Sequence, residues 1–481
     1  MNIKRIFASN AITNIIIQMS QFIVTFYIAA LIGDKEYGNF VLYMSLINLF
    51  ISLTETGIST YLINYNLDEK NKAGFYSALC ITIGIFSLTL CLLSLLITNS
   101  TSLQMIIGIN VCIIGGFYNI LYIVKKSLLT KKLLFKKILK IEFASSVFSI
   151  CVGIGAAKLN FGSLSLFLFY LSKNITSFFL SSKYIPLQIS IRKVSFSELF
   201  KSMDHVAGFT LFNFVNYFSR NFDKVIISAS FGNATLGQYG LAYRIMTYPI
   251  QTISSIVNGA IYPILVSKRD KIKTKYLESI FIISSITFPM MFFISWYSND
   301  ILFFLLGDGW EMAAGMLKIM ALAGALQSVT STVGLLYQLS NDIRTMNKIA
   351  LLNTTLILLV IIIFSYFIKS IDYLVIMYLT VYTLISPHTI LIPAKKFNIN
   401  SIDLIQSILP PLGLSIVLSI IFSYCSVYEI WYYLLIVTLL ILYVVLFRRR
   451  VISFFPCEVL KNGHYYWCWS NWLKLCKLHE K

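Results

Sequence analysis

The sequence predicts an all-α polytopic membrane protein of about 14 transmembrane helices. The helices form two pseudo-two-fold-related six-helix bundles, a parallel repeat, plus two C-terminal helices. Three observations predict this. Of 481 residues, 57% are hydrophobic and only 12% are charged, with a mean hydropathy of +0.78. A soluble domain carries about 25% charged residues. Apolar runs of spanning length recur between polar breaks along nearly the whole chain. Finally, a pattern of glycines and polar residues returns after 199 positions.

The runs fall at 9–32, 39–62, 74–97, 104–124, 139–157, 162–182, 206–231, 238–263, 277–297, 313–337, 349–368, 371–394, 405–426 and 430–447. Pro387, Pro393, Pro410 and Pro411 interrupt the twelfth and thirteenth, where a helix interior loses hydrogen bonds. The first run, Ala11 to Ile32, is longer than a signal-peptide core and lacks a cleavage site, so it reads as a retained span. The expected organisation is a bundle over 1–182, a cytoplasmic linker over 183–205 and a second bundle over 206–394. Two further spans over 395–447 and a basic, Trp-rich tail over 448–481 complete it. Trp467, Trp469 and Trp472 beside Lys474 and Lys477 suit a segment lying on the inner leaflet.

Charge orients the chain. With the N-terminus inside, 31 of the 39 Lys and Arg fall on the inner side, and only Lys35, Lys158 and Lys369 lie outside. Cytoplasmic loops collect Lys and Arg, so both termini are expected in the cytoplasm. The same rule accounts for the net charge of +19 without nucleic acid. The eight cysteines show no metal or redox spacing. Cys457, Cys468 and Cys476 near His464 and His479 are a weak zinc candidate, without a paired spacing.

The repeat starts at Gly33-Asp34-Lys35-Glu36-Tyr37-Gly38-Asn39-Phe40, matched by Gly232-Asn233-Ala234-Thr235-Leu236-Gly237-Gln238-Tyr239. At the same offset, Asn14, Gln18, Gln21 and Thr25 on one face of the first span correspond to Asn213, Tyr217, Arg220 and Lys224. Ser45, Asn48, Ser52, Glu55 and Ser59 correspond to Arg244, Thr247, Gln251, Ser254 and Asn258. Small polar residues in lipid also mediate helix contacts, but matched stripes at one register indicate duplication. Six spans separate the copies, so they share an orientation, and their polar faces would meet across a central cleft as in parallel-repeat transporters.

Charges within spans cost about 2.5–3.5 kcal/mol on insertion scales and usually face a partner or a wet cavity. Arg220, Lys224, Arg244 and Lys173 against Asp223 and Glu55 make a net cationic set. Guanidinium and ammonium groups of this kind grip phosphate oxygens. Asp223 is equally an ion-pair partner for Arg220 or Arg244, and Glu55 a coupling site for H+ or Na+ or a structural partner of Lys173. Lys224 and Arg244 lie near helix ends, where snorkelling competes, as it does more strongly for Lys318. His388 beside Pro387 reads as structural. Asn14, Gln18, Gln21, Asn48, Asn213, Tyr217, Gln251 and Asn258 are the expected polar lining. There is no phosphate-binding loop after a strand and no catalytic constellation, and the longest outer loop, Ser298 to Met312, is too short for a catalytic domain. The reading is therefore not of an enzyme.

Asn221-Phe222-Asp223-Lys224 followed by Phe231 through Arg244 resembles the polysaccharide flippase (Wzx-type) family of the multidrug/oligosaccharidyl-lipid/polysaccharide exporter superfamily. Pro249, Ile261-Tyr262-Pro263-Ile264, Ala30 through Phe40, and Leu305-Leu306-Gly307-Asp308-Gly309-Trp310 continue the likeness. The resemblance implies flipping of an undecaprenyl-pyrophosphate-linked oligosaccharide from the cytoplasmic to the periplasmic leaflet of a bacterial inner membrane, for O-antigen or another surface polysaccharide. It implies no bound cofactor beyond a coupling ion, and a polymerase and chain-length regulator as candidate partners. It supplies Asp223 and Lys224 as a pair without fixing their role. A flippase for a lipid-linked peptidoglycan precursor and a cation-coupled drug exporter share the fold. A polymerase or ligase of surface glycans is the alternative of a different class.

Overall fold

A computed structural model describes residues 3–424 apart from 65–68, 98–102, 133, 187–193, 268, 341 and 369, with positions 439, 442, 443 and 445–447 beyond them. The amphipathic tail and its cysteine and histidine candidates lie outside the described residues, as does most of the run 430–447.

The described chain is helical. Its elements are α1 (Ile3–Ile32), α2 (Asp34–Asn64), α3 (Glu69–Ile97), α4 (Leu103–Lys131), α5 (Phe135–Lys158), α6 (Leu164–Ser182) and α7 (Phe196–Ser267). They continue with α8 (Ile272–Trp296), α9 (Ser298–Leu306), α10 (Glu311–Thr330), α11 (Val333–Ser340), α12 (Ile343–Phe367), α13 (Ile371–Lys395) and α14 (Ser401–Tyr424). Most helices run past the apolar stretch that marks them, because hydropathy reports only the part of a helix in lipid. The linker expected over 183–205 is accordingly shortened: α7 begins at Phe196. The tenth span is broken at Ser331 and Thr332 into α10 and α11. By contrast α13 and α14 run through their prolines, which membrane helices tolerate.

Gly33 and Gly232 stand at the same place in the two copies. Both have positive φ, +84° and +86°, a conformation open to glycine but strained for other residues. Gly232 turns α7 back on itself. Asp223 and Tyr239, 16 residues apart, are joined by a 2.7 Å hydrogen bond, whereas an unbroken helix would hold them about 24 Å apart.

The first bundle is α1–α6; the second is α7, α8, α10–α13. They meet where α2 crosses the second half of α7 at Gly38 and Gly237, with no room for a side chain on either. The polar contacts around this crossing repeat the symmetry. Asn233 Nδ2 donates to Asn39 Oδ1 at 2.7 Å, and Gln238 Nε2 donates to Asp34 Oδ2 at 3.1 Å. These pairs exchange under the 199-residue offset. Tyr37, Phe40, Leu236, Tyr239, Leu241 and Met246 bury there in one apolar core shared by both bundles. The Gly307–Trp310 loop laps over it: Gln238 Nε2 also donates to the carbonyl of Gly309 at 2.7 Å, and the Trp310 ring meets Tyr37 edge-on at 6.2 Å.

At the opposite, Lys/Arg-rich end the first bundle has its own smaller apolar clusters. Lys125, 1% exposed, caps the last turn of α6. Its Nζ donates to the carbonyl of Phe178 at 3.3 Å and to Ser182 Oγ, and lies 3.6 Å from the centre of the Phe178 ring. A cation at the negative end of a helix is favourable. The C-terminal spans pack outside the repeat: α14 lies on α8, and Tyr443 beyond it meets Ser285 Oγ at 2.8 Å.

Candidate functional site

A cavity of about 490 Å³ opens inside the first bundle. Helical spacing brings polar residues to it from four helices. Gln18 and Gln21 come from α1; Asn119, Tyr122, Lys126 and Thr130 step along one face of α4. Glu142 comes from α5, and Lys173, Asn174 and Ser177 from α6. Such a lining inside an apolar bundle is the membrane form of a wet site.

A chain of hydrogen bonds organises it. Lys173 Nζ donates to Gln21 Oε1 at 2.9 Å, and Gln21 Nε2 reaches Ser146 Oγ at 2.6 Å. Ser146 in turn donates to the carbonyl of Glu142 at 2.6 Å. Glu142 Oε1 accepts from Tyr122 OH and from Lys126 Nζ, both at 2.9 Å. Asn174 Nδ2 and Ser177 Oγ are buried without a hydrogen-bond partner among the described residues.

A second cationic group sits at the α7 turn. Lys224 Nζ donates to Asn221 Oδ1 at 2.5 Å and lies 5.6 Å from the centre of the Tyr243 ring. Arg244 is within electrostatic range of both Lys224 and Lys173. Three of the four expected substrate-binding cations thus share one region. The fourth, Arg220, has a side chain outside the described ones, as do Asn14, Glu55 and Asn213.

The other expected residues have these surroundings. The Asp223 carboxylate accepts from Tyr239, a brace across the Gly232 turn, and no ion pair joins it to Arg244 among the described residues. The described partner of Lys173 is Gln21, with Glu142 on the same cavity. Tyr217 ties the bundles together, donating to the carbonyl of Ser45 at 2.6 Å. Asn258 turns to the α10–α11 break, its Nδ2 3.5 Å from the carbonyl of Ser331. Gln18 and Gln251 are exposed and Asn48 is half-buried. Lys318 and His388 are exposed. Among the described residues no group of three His, Cys, Asp or Glu could hold a metal.

The residues missed from sequence are Glu142, Lys126, Tyr122, Asn119, Asn174 and Ser177. Lys126 reads as one more loop cation, and Glu142 lies only a few residues inside its apolar run. The signal was the spacing of 119, 122, 126 and 130 continuing from the apolar run into the basic segment.

Residues 27–315 match a family described as Polysaccharide biosynthesis protein. The chain belongs to that family. The chain is 24% identical over 218 residues to an uncharacterized membrane protein in the cps region of Klebsiella pneumoniae, 44% of each chain. It is 22% identical over 131 residues to the lipopolysaccharide biosynthesis protein WzxC of Escherichia coli, 27% of each. It is 27% identical over 123 residues to the teichuronic acid biosynthesis protein TuaB of Bacillus subtilis, 25% of this chain and 26% of that one. The matches span less than half the length of these curated relatives.

The fold is similar to that of the lipid II flippase MurJ in an inward closed conformation. The TM-score is 0.73 at 16% identity, covering 91% of this chain and all of that one. An inward-facing multidrug resistance MATE family transporter gives 0.63 at 14% identity, over 81% of this chain and 98% of that one. The multi-pass, two-bundle architecture read from the sequence is that of these structures.

Proposed function

We propose that this family member is a transporter, not an enzyme, and flips undecaprenyl-pyrophosphate-linked oligosaccharides across the bacterial inner membrane by alternating access. Transport runs from the cytoplasmic to the periplasmic leaflet, with both termini in the cytoplasm, for assembly of O-antigen or another surface polysaccharide. The reading is carried by one observation: a polar cavity with Lys126 and Lys173 on its wall, inside an otherwise apolar bundle that is welded to its partner at the Gly33 end.

In this reading the sugar head enters from the Lys/Arg-rich side. Lys173, Lys224 and Arg244, with Arg220, meet the lipid's diphosphate by charge and hydrogen bonding. Gln18, Gln21 and Asn119 exchange hydrogen bonds with sugar hydroxyls, and the prenyl chain stays in the bilayer. A volume of about 490 Å³ is within the range of ligand cavities. Separation of the crossing at Gly38 and Gly237 then opens the outer side. Proton or sodium coupling drives the cycle, and a polymerase with its chain-length regulator takes the product.

The test is surface glycan display in a strain deleted for the gene, with the leaflet of the lipid-linked oligosaccharide measured in parallel. Loss of glycan with the intermediate trapped in the inner leaflet is expected. Normal glycan with altered resistance to cationic drugs would overturn the reading in favour of a drug exporter.

A further inference from the structure

We infer that Glu142 is the resident anion of a diphosphate-accepting site in the α4–α6 cavity, and that substrate loads by displacing it. The inference rests on the proposed carriage of diphosphate-linked glycans, and it places that group, on loading, at Lys126, Lys173, Asn174 and Ser177, before Lys224, Arg244 and Arg220 meet it.

The wall shows both an occupied and an unfilled half. On one side Glu142 Oε1 takes both the Lys126 ammonium and the Tyr122 hydroxyl, at 2.9 Å each. The Glu142 side chain is 12% exposed and that of Lys126 46%. On the other side, α6 presents Lys173 beside two groups without partners among the described residues, Asn174 Nδ2 and Ser177 Oγ. Asn174 is 5% exposed and Ser177 1%. Buried polar groups are ordinarily hydrogen-bonded, and each one left open costs about 1–3 kcal/mol. A ligand rich in acceptor oxygens satisfies both.

Charge selects the ligand. Lys126 and Lys173 supply two positive charges and Glu142 one negative. A diphosphate diester carries two negative charges, which the two lysines balance only when Glu142 has left them. Two anions cannot share a site of this kind without a large penalty. Glu142 is therefore a competitor of the substrate. On release it recaptures Lys126, so the empty carrier returns with one uncompensated cation on the cavity wall instead of two. This makes Glu142 a positioning residue that sets the balance between loading and release.

The experiment titrates the full-length protein in lipid nanodiscs with inorganic pyrophosphate, and with sulfate as a control, and measures glycolipid flipping in the same variants. Wild type should bind pyrophosphate and Glu142→Gln should bind it about tenfold tighter. Lys126→Gln and Asn174→Leu should weaken binding. Flipping by Glu142→Gln should show a lower KM and a lower kcat, a split that loss of packing would not produce. Monodispersity and Tm confirm that each variant is folded. Unchanged or weaker pyrophosphate binding by folded Glu142→Gln, no binding by wild type, or equal binding of sulfate would each overturn the inference. Flipping by wild type in those cases would leave the transport reading standing; absence of flipping would remove that reading separately.

Discussion

Gly237 lies against the start of α2 so closely that a Cβ on it would stand 2.0 Å from the carbonyl oxygen of Asp34, while one on Gly38 would stand 1.7 Å from that of Asn233. The two overlaps are related by the internal repeat, and both are with backbone, which cannot rotate aside. Gly237→Ala or Gly38→Ala therefore forces the bundles apart at this end. Overpacking of this sort costs about 1–3 kcal/mol, enough to shift a two-state equilibrium roughly 5- to 150-fold. A cysteine at Asn39 should become more reactive to a membrane-impermeant reagent applied from the outer side. Unchanged reactivity in both variants would show that the crossing does not hold this end shut.

Gln238 extends the same seal to the second bundle. Its Nε2 serves Asp34 and the carbonyl of Gly309, and its Oε1 accepts the Ala313 N–H at 2.9 Å, capping the first turn of α10. Gln238→Leu leaves these groups without the side chain that joins them. Gln238→Glu keeps an acceptor for Ala313 but sets a carboxylate against Asp34 and a carbonyl. Both should speed hydrogen exchange at the Ala313 amide, about tenfold for each 1.4 kcal/mol lost, with Glu the worse. Wild-type exchange in both would remove Gln238 from the seal.

The duplication was readable in the sequence because its landmarks are local. Gly33 and Gly232 need positive φ, Gly38 and Gly237 need close approach, and both requirements admit few residues, so the pattern survives at one register. Span positions were readable for a similar reason, since lipid imposes a length and a polarity. The wall of the cavity was not. Lys126 counts with the basic loop cations until α4 is seen to continue to Lys131. Ser145, Ser146 and Ser149 on α5 look like ordinary helix-contact residues. The partner of Asp223 was hidden too, because Tyr239 lies beyond a turn whose geometry depends on φ at Gly232.

That Asp223–Tyr239 bond makes a prediction that separates bracing from substrate binding. Asp223 is 7% exposed and Tyr239 1%. Tyr239→Phe takes the donor from a buried carboxylate, and leaving a buried polar group open costs about 1–3 kcal/mol. Asp223→Asn keeps an acceptor oxygen and should cost less. The double variant Asp223→Leu with Tyr239→Phe should be milder than the sum, because no polar group is left open. Thermal unfolding in detergent measures all three. Additive losses would mean that the two side chains do not act as a pair.

Acid should act on a different point, the loop between α11 and α12. Asp342 caps α12: its Oδ1 accepts the Thr345 N–H at 3.1 Å, and its Oδ2 pairs with Lys396 after α13. The hydrogen bond from Lys396, with those from Thr345, holds this carboxyl at about 2, below its usual 3.8. A depressed carboxyl contributes stability above its unfolded value and loses it as pH falls through the folded one. The link is therefore expected intact from neutral pH down to about 4, and to weaken between about 4 and 2. Limited proteolysis at the start of α12, around Asp342–Arg344, should rise only in that window. Asp342→Asn keeps the cap to Thr345 but removes the charge facing Lys396, so its cleavage should be pH-independent over the same range. Wild-type cleavage that rises already at pH 5, or that persists in its acid dependence after Asp342→Asn, would assign the acid response to another group.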